Sequence, residues 1–218
     1  MKLYPLAEAD ITASAVIVAN GNFPVHPVPL SFLKNKIPVV CCDGAVRKLL
    51  TIGRMPTVIV GDCDSLSEKE KLQYASIIHK ISEQDTNDLT KAVRYCLAQG
   101  WKDLIILGAT GRREDHTIAN ISLLADYIDI AGEVWMLSDY GVMNAIREDA
   151  TFESYPGQQV SIFSIEKKPM SCEHLKYGFE NVVFTNWWQA TLNESLGKIF
   201  TLHVSGKTIV YRTFKDIS

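Results

Sequence analysis

Residues 57–65 read TVIVGDCDS: an apolar run, Val58-Ile59-Val60, passes through Gly61 into two carboxylates, Asp62 and Asp64, held one residue apart. A short run of β-branched apolar residues without polar alternation is the pattern of a strand covered on both faces, as in a parallel sheet. The same pattern recurs in ASAVIVAN (13–20), IPVVCCD (37–43) and DLIILGATG (103–111). Between these runs the period changes. GAVRKLLTIG (44–53) reads as a helix closed by Gly53, and SLSEKEKLQYASII (65–78) as a helix opened by a Ser67-to-Glu70 capping box. DTNDLTKAVRYCLAQG (85–100) sets Leu89, Ala92, Val93, Cys96 and Leu97 on one helical face, and DHTIANISLLADYI (115–128) reads as the next helix. This βαβα order predicts an α/β N-terminal domain with a mostly parallel sheet flanked by helices.

Beyond GEVWMLSDYGVMNAIRE (132–148) the helical period disappears. QQVSIFSI (158–165), ENVVFTNWW (180–188), KIFTLHVSG (198–206) and KTIVYRTF (207–214) are short runs rich in β-branched and aromatic residues, separated by Gly, Asn, Pro and Lys. They predict a C-terminal all-β sandwich domain. The expected domains are residues 1–147 and 148–218, and in ENVVFTNWW the adjacent Trp187 and Trp188 are expected on opposite faces of a strand.

Composition narrows the partner. A chain of 218 residues that is 47% hydrophobic and carries a net charge of −3, with no basic stripe, does not advertise nucleic acid. No apolar run nears the roughly 20 residues that span a bilayer, and the acidic residues of MKLYPLAEAD do not suit a signal-peptide core, so no membrane association and a cytoplasmic location are expected. Five cysteines, Cys41, Cys42, Cys63, Cys96 and Cys172, show no metal-like spacing and read as reduced small apolar residues.

In an open parallel sheet, ligands bind beyond the carboxyl ends of the strands. Asp43, Asp62 and Asp64, and Asp115 all follow predicted strands there, and Asp85 and Asp88 open the long helix. Crowded carboxylates repel unless a cation intervenes, and an all-oxygen set favours Mg2+, which in turn suggests phosphates. Two carboxylates two residues apart on a loop just past a strand can point to one side, with Gly61 letting the backbone turn. Asp88 is equally placed to cap its helix. GATGRREDH (108–116) adds glycines for close backbone approach and two arginines for anion contact. No P-loop, dinucleotide-binding or nucleophile-elbow motif is present.

In this order, DGA (43–45), GDCDS (61–65), EQDTNDLTKA (83–92) and GATGRREDH resemble the thiamine pyrophosphokinase family, and HLKYGFEN (174–181) and ATLNESLGK (190–198) extend the likeness to nearly the whole chain. The resemblance implies transfer of diphosphate from ATP to the hydroxyl of thiamine, giving thiamine diphosphate and AMP. It also implies a homodimer with shared sites. By residue, it implies Asp62, Asp64, Asp88 and Asp115 as catalytic, with Asp62, Asp64 and Asp88 holding Mg2+. Asp43, Gln84, Asp85, Asn87, Lys91 and Arg113 would meet ATP, and Tyr177 and Asn193 thiamine. Asp88 and Asp115 both stand as acceptors of the hydroxyl proton, and an ordinary sandwich-core role is the alternative for Tyr177. His116 reads as an orienting residue rather than a base.

Three positions depart from the family pattern: Asn87 for Thr, Arg112 for the second glycine of the arginine-bearing turn, and Leu192 for Ser. An arginine tolerates positive φ less well than glycine, which singles out the Arg112 turn. Two other functions fit part of the pattern: an Mg2+-dependent nucleotide-sugar transferase, which explains GDCDS alone, and a non-catalytic thiamine sensor, which needs no acidic cluster.

Overall fold

The apolar runs that end in carboxylates are strands. The computed structural model describes residues 1–8 and 11–215, and in chain order gives β1 (Lys2–Tyr4), β2 (Ala15–Val18), α1 (Pro27–Lys34), β3 (Val39–Cys42), α2 (Val46–Thr51), β4 (Val58–Gly61), α3 (Glu68–Gln73), β5 (Ile78–Lys80), α4 (Asp88–Ala98), β6 (Leu104–Leu107), α5 (Glu114–Tyr127) and β7 (Val134–Leu137). Then follow β8 (Gly141–Ile146), β9 (Ala150–Glu153), β10 (Gln159–Ser164), β11 (Met170–Glu173), β12 (Asn193–Glu194), β13 (Ile199–Val204) and β14 (Thr208–Thr213). Contacts divide the chain into Thr12–Leu123 with Ile130–Asp139, an α/β unit, and Met1–Ile11 with Leu124–Asp129 and Tyr140–Ser218, a unit dominated by strands. No helix among the described residues is long and apolar enough to cross a membrane.

In the α/β unit the strands pair in the order β7-β6-β2-β3-β4-β5, every pair parallel. All residues of β2, β3, β4, β6 and β7 are buried, which is why their sequences show no polar alternation. Helix α4 lies on β2, β3 and β4 through Leu89, Ala92, Val93 and Cys96, four of the five residues its period marks. Burying these side chains contributes about 1.5–3 kcal/mol for each large one, before entropy costs.

One helix is shorter than its period predicts. The Ser67–Glu70 capping box forms, but α3 stops at Gln73, and Ile78 to Lys80 instead pair with β4 as a parallel edge strand. The gain there is backbone pairing with Ile59, Val60 and Gly61, which a local helical period cannot reveal.

The β unit holds two four-stranded groups. Strands β12-β10-β14-β8 are antiparallel throughout, and in β1-β9-β13-β11 only β1 runs parallel to its neighbour. Tyr4, Phe152 and Phe200 stack in series at 5.0 Å centroid spacings. The fully buried Arg212 of β14 lays its guanidinium 5.1 Å from the Phe152 ring and donates to the Glu153 carbonyl at 2.8 Å, tying the two groups together.

The sequence boundary at 147/148 falls in the turn between β8 and β9. Tyr140 onward belongs to the β unit, where β8 pairs along its whole length with β14, and the N-terminal strand β1 joins the same unit on β9. ENVVFTNWW is also not a strand. Only Val182 bridges to Met170, and Trp187–Ala190 form a single 3-10 turn capped by Asn186 and Gln189. Trp187 and Trp188 are therefore not split between core and surface: they are 39% and 71% exposed. All five cysteines are free, four of them buried.

His203 of β13 contacts Asp149 at 2.7 Å and Glu173 at 3.4 Å. The bond to Asp149 raises its pKa above the ordinary imidazole value, with Glu173 adding to the effect against partial burial. A group whose folded pKa is raised stabilises fully below its unfolded pKa, about 6.5, and loses that contribution as pH rises through the folded value. The pair is partly solvated, so the effect is expected to stay below about 1 kcal/mol. Melting curves of the parent and His203→Gln should differ at pH 5.5 and converge above the raised pKa; a constant difference across that range would contradict this assignment.

Candidate active site

Within the α/β unit, the turns at the carboxyl ends of β2, β3, β4 and β6 and the start of α4 enclose a cleft of about 470 Å³. The turns after β2 and β6 are interlocked. Gly21 N donates to the Gly108 carbonyl at 2.7 Å, Asn22 N donates to that of Thr110 at 2.9 Å, and a Cβ on Gly21 would overlap the Gly108 and Thr110 carbonyl oxygens. Only glycine permits this approach.

On the other side, β3 and β4 deliver Asp43 and Asp62, and α4 delivers Asp88. Gly61 lies between them: a Cβ there would sit 3.1 Å from Asp43 Cβ and 3.5 Å from Asp88 Oδ1. Asp62 lines the cleft, its Oδ1 accepting from Asp64 N at 3.0 Å and its Oδ2 from Gln84 Nε2 at 3.2 Å. These two bonds hold its carboxyl below the ordinary carboxylate value. Asp88 is shifted the other way. Burial pushes its pKa up, Lys91 opposes the shift, and the charges of Asp62 and Asp43 add to it. The two lining carboxyls are thus shifted in opposite directions from the ordinary carboxylate value.

Lys91, one turn into α4, is only 2% exposed yet lines the cleft, with Nζ 3.5 Å from Asp88 Oδ1. A buried ammonium with one long ion pair retains donors for an anionic ligand. Asp43 is buried as well. Its Oδ2 accepts from the Ser65 amide at 3.1 Å and from the Ser65 hydroxyl, while its Oδ1 is buried without a hydrogen-bond partner.

The structure does not bring all the expected acidic residues together. Cys63 takes a left-handed φ of +66°, so the Asp-Cys-Asp segment is a tight turn, and Asp64 is exposed and off the cleft wall. Asp85 is likewise exposed, in a turn organised by Glu83, which accepts from the amides of Asp85 at 2.7 Å and Thr86 at 3.0 Å. Asp115 is taken by Arg113, which donates from Nε at 3.1 Å and Nη2 at 2.5 Å and lowers its carboxyl pKa. Among the described residues no three His, Cys, Asp or Glu side chains converge as a preformed metal site, so Asp62, Asp64 and Asp88 are not assembled as a trio.

Asn87 is the N-cap of α4: Oδ1 accepts from Thr90 N at 2.9 Å and Nδ2 donates to Asn120 at 3.0 Å. Asn120 in turn donates to the Ala109 carbonyl at 2.8 Å, joining α4, α5 and the turn after β6. Asp88, one residue past the cap, has its side chain directed to the cleft group. Sequence reasoning missed Asn120, Thr86 and the Asn20-Gly21 turn on the cleft wall. The VANGN run after β2, a strand ending in a glycine between two asparagines, was the available signal for that turn.

Arg112 occupies the glycine-like position with φ +63°, a conformation costing an L-residue roughly 1 kcal/mol. It lines the cleft with Arg113 and His116.

In the β unit, Tyr177 is 63% exposed rather than core. Asn193 is buried and grips the Tyr177 backbone in both directions: Oδ1 accepts from its amide at 3.0 Å and Nδ2 donates to its carbonyl at 2.9 Å. Asn193 therefore presents the aromatic ring, while its own polar atoms are already engaged. Leu192, with φ +56°, is exposed beside it.

A cleft at the carboxyl ends of parallel strands, walled by carboxylates shifted in opposite directions and by cationic side chains, in a chain that also carries a strand-dominated unit, defines an α/β protein with a polar, charge-lined site. Residues 30–136 match the model for the thiamin pyrophosphokinase catalytic domain, and residues 141–211 match that for the thiamin pyrophosphokinase substrate-binding domain. The chain belongs to the thiamin pyrophosphokinase family. It is 31% identical over 147 residues to thiamin pyrophosphokinase 1 of Caenorhabditis elegans, a match covering 63% of this chain and 60% of that one. With the thiamine pyrophosphokinase of Bacillus subtilis it shares 31% identity over 112 residues, 50% of this chain and 52% of the relative. These matches span little more than half the length of those relatives. The fold resembles the solved structures of the Bacillus subtilis thiamine pyrophosphokinase (TM-score 0.78, 21% identity, 93% and 99% of the two chains) and of the Candida albicans thiamin pyrophosphokinase (0.78, 19%, 98% and 93%).

Proposed function

We propose that the protein transfers diphosphate from ATP to the hydroxyl of thiamine, giving thiamine diphosphate and AMP. The observation that carries this reading is the match of both units, in order, to the catalytic and substrate-binding models of one family, with Asp62, Asp88 and Lys91 on one cleft wall. In the reaction, the thiamine hydroxyl oxygen bonds to the β-phosphorus, the bond from β-phosphorus to the α–β bridging oxygen breaks, and AMP leaves with that oxygen. Lys91 and Arg113 bind phosphate oxygens, and the buried start of α4 excludes water around them. Of the two proton acceptors open from sequence, Asp88 lines the cleft whereas Asp115 is engaged by Arg113, which favours Asp88.

The donor chemistry suits Mg2+, since the lining carboxylates supply oxygen only and Asp43 Oδ1 is buried without a donor beside them. Mg2+ uses one or two carboxylates plus substrate phosphates, so the absence of a three-residue cage does not count against it. Asp62 and Asp88 would hold it, and when bound it would neutralise charge on the phosphates. Asp64 contributes the amide that fixes Asp62. Gln84 orients Asp62, and Asn87 and Asp85 shape the nucleotide-facing turn. Tyr177 offers a flat face for the thiamine ring, presented by Asn193. A homodimer and a cytoplasmic location belong to the same proposal.

Neither the sugar-transferase nor the sensor reading gains support from the two matched family models. Purified protein given ATP, Mg2+ and thiamine should yield thiamine diphosphate and AMP in equal amounts, with neither formed when any component is omitted. ADP as the nucleotide product would overturn diphosphoryl transfer, and thiamine binding without nucleotide turnover would restore the sensor.

A further inference from the structure

Three cationic side chains line the cleft, and two are already opposed by carboxylates: Lys91 by Asp88 at 3.5 Å, and Arg113 by Asp115 through two hydrogen bonds. Arg112 differs. Its Nη1 donates to the Asn20 carbonyl at 2.8 Å and to Asn20 Oδ1 at 3.1 Å, both neutral acceptors. Among the described residues it forms no ion pair, so its charge on the cleft wall is uncompensated. Those bonds also fix where the charge sits, because they span from the turn after β6 to the turn after β2. A guanidinium fixed at one edge retains N–H donors at the others, which suits a phosphate oxygen.

We propose that Arg112 is a polyphosphate-affinity residue, whose uncompensated guanidinium, anchored on Asn20, favours a nucleoside triphosphate over the monophosphate that leaves. This rests on the proposed reaction for the identity of the nucleotide and goes beyond it in assigning a role to a residue which that reaction as proposed does not use. The attraction of a fixed exposed cation grows with the charge of the ligand and weakens with salt. The triphosphate therefore gains more from Arg112 than AMP does, and product release is assisted.

The test measures equilibrium binding of the α,β-methylene analogue of ATP, and separately of AMP, to the full chain and to Arg112→Gln, Arg112→Lys and Arg112→Gly. Steady-state kinetics and melting temperature are taken alongside. Arg112→Gln is expected to bind the analogue about tenfold more weakly, the loss of one charge-assisted hydrogen bond, and to lose less than about threefold for AMP. KM for ATP should rise in step while kcat at saturation changes by less than about threefold. Arg112→Lys should recover part of the affinity, and raising salt should shrink the gap between parent and Arg112→Gln.

Arg112→Gly separates charge from backbone, because it removes the guanidinium while restoring a residue at ease with positive φ. If Arg112→Gly binds the analogue like the parent, or if Arg112→Gln loses the same factor for AMP as for the analogue, the assignment is overturned and Arg112 is a latch between turns. Should the parent make no thiamine diphosphate yet show this Arg112-dependent preference for the triphosphate, the reaction reading falls and the affinity assignment stands.

Discussion

Replacing Asp88 by Asn is expected to lower kcat by two to three orders of magnitude while the protein still folds. The substitution keeps size and one acceptor oxygen but removes the charge that faces Lys91 and adjoins Asp62 and Asp43. In the proposed reaction that carboxylate accepts the hydroxyl proton and helps hold Mg2+. Losing a group that acts mainly in the transition state costs about 100- to 1000-fold, or ~3–4 kcal/mol. Asp62→Asn should fall about 100-fold or more, since its neutral oxygen can still accept from the Asp64 amide, leaving the turn intact. Rates with ATP and thiamine at saturating Mg2+, read beside melting curves, decide the matter. Activity within a few-fold of the parent in a folded Asp88→Asn protein would remove Asp88 from the site, and with it the reading of this cleft as the reaction centre.

The second large effect is on stability. Gly21→Ala places a methyl group against two backbone carbonyl oxygens, those of Gly108 and Thr110, neither of which can rotate away as a side chain would. The turns after β2 and β6 must separate, stretching the 2.7 Å bond from Gly21 N to the Gly108 carbonyl. Overpacking against a rigid neighbour costs roughly 1–3 kcal/mol, and the lost hydrogen bond adds about 1. For a unit of this size the melting transition should fall by about 5–10 °C. Gly178→Ala in the β unit is the control: a Cβ there meets nothing within 4 Å, and its melting curve should match the parent's. Calorimetry that shows Gly21→Ala within about 1 °C of the parent would mean that the two turns are not rigidly interlocked. Because the β2 turn carries Asn20, on which Arg112 is anchored, nucleotide affinity should fall together with stability.

Much of the fold was legible because the signals are local. Unbroken runs such as Val58-Ile59-Val60 and Leu104-Ile105-Ile106-Leu107 are buried on both faces, and that requirement is written into every residue of the run. The helical face of Leu89, Ala92, Val93 and Cys96 is equally local. The errors came where long-range pairing outweighed local period. Ile78, the last residue of a helical pattern, pairs with β4 together with His79 and Lys80, and β8 joins β14 although 61 residues of chain separate Ile146 from Thr208. ENVVFTNWW has strand composition, but Asn186 and Gln189 offer the backbone a capped 3-10 turn instead.

By itself the sequence determined which residues could form buried strands, which carboxylates would follow those strands along the chain, and, through its ordered motifs, the family. Only the tertiary structure decided which of those acids face the cleft. A left-handed torsion at Cys63 turns Asp64 away, Arg113 takes Asp115 out of play, and Asn120, 33 residues beyond Asn87, steadies the start of α4. Arg112 meets Asn20 across 92 residues of chain. Periodicity and composition report on neighbours along the chain, whereas the acidity of a carboxyl and the freedom of a cation depend on partners that only folding brings near.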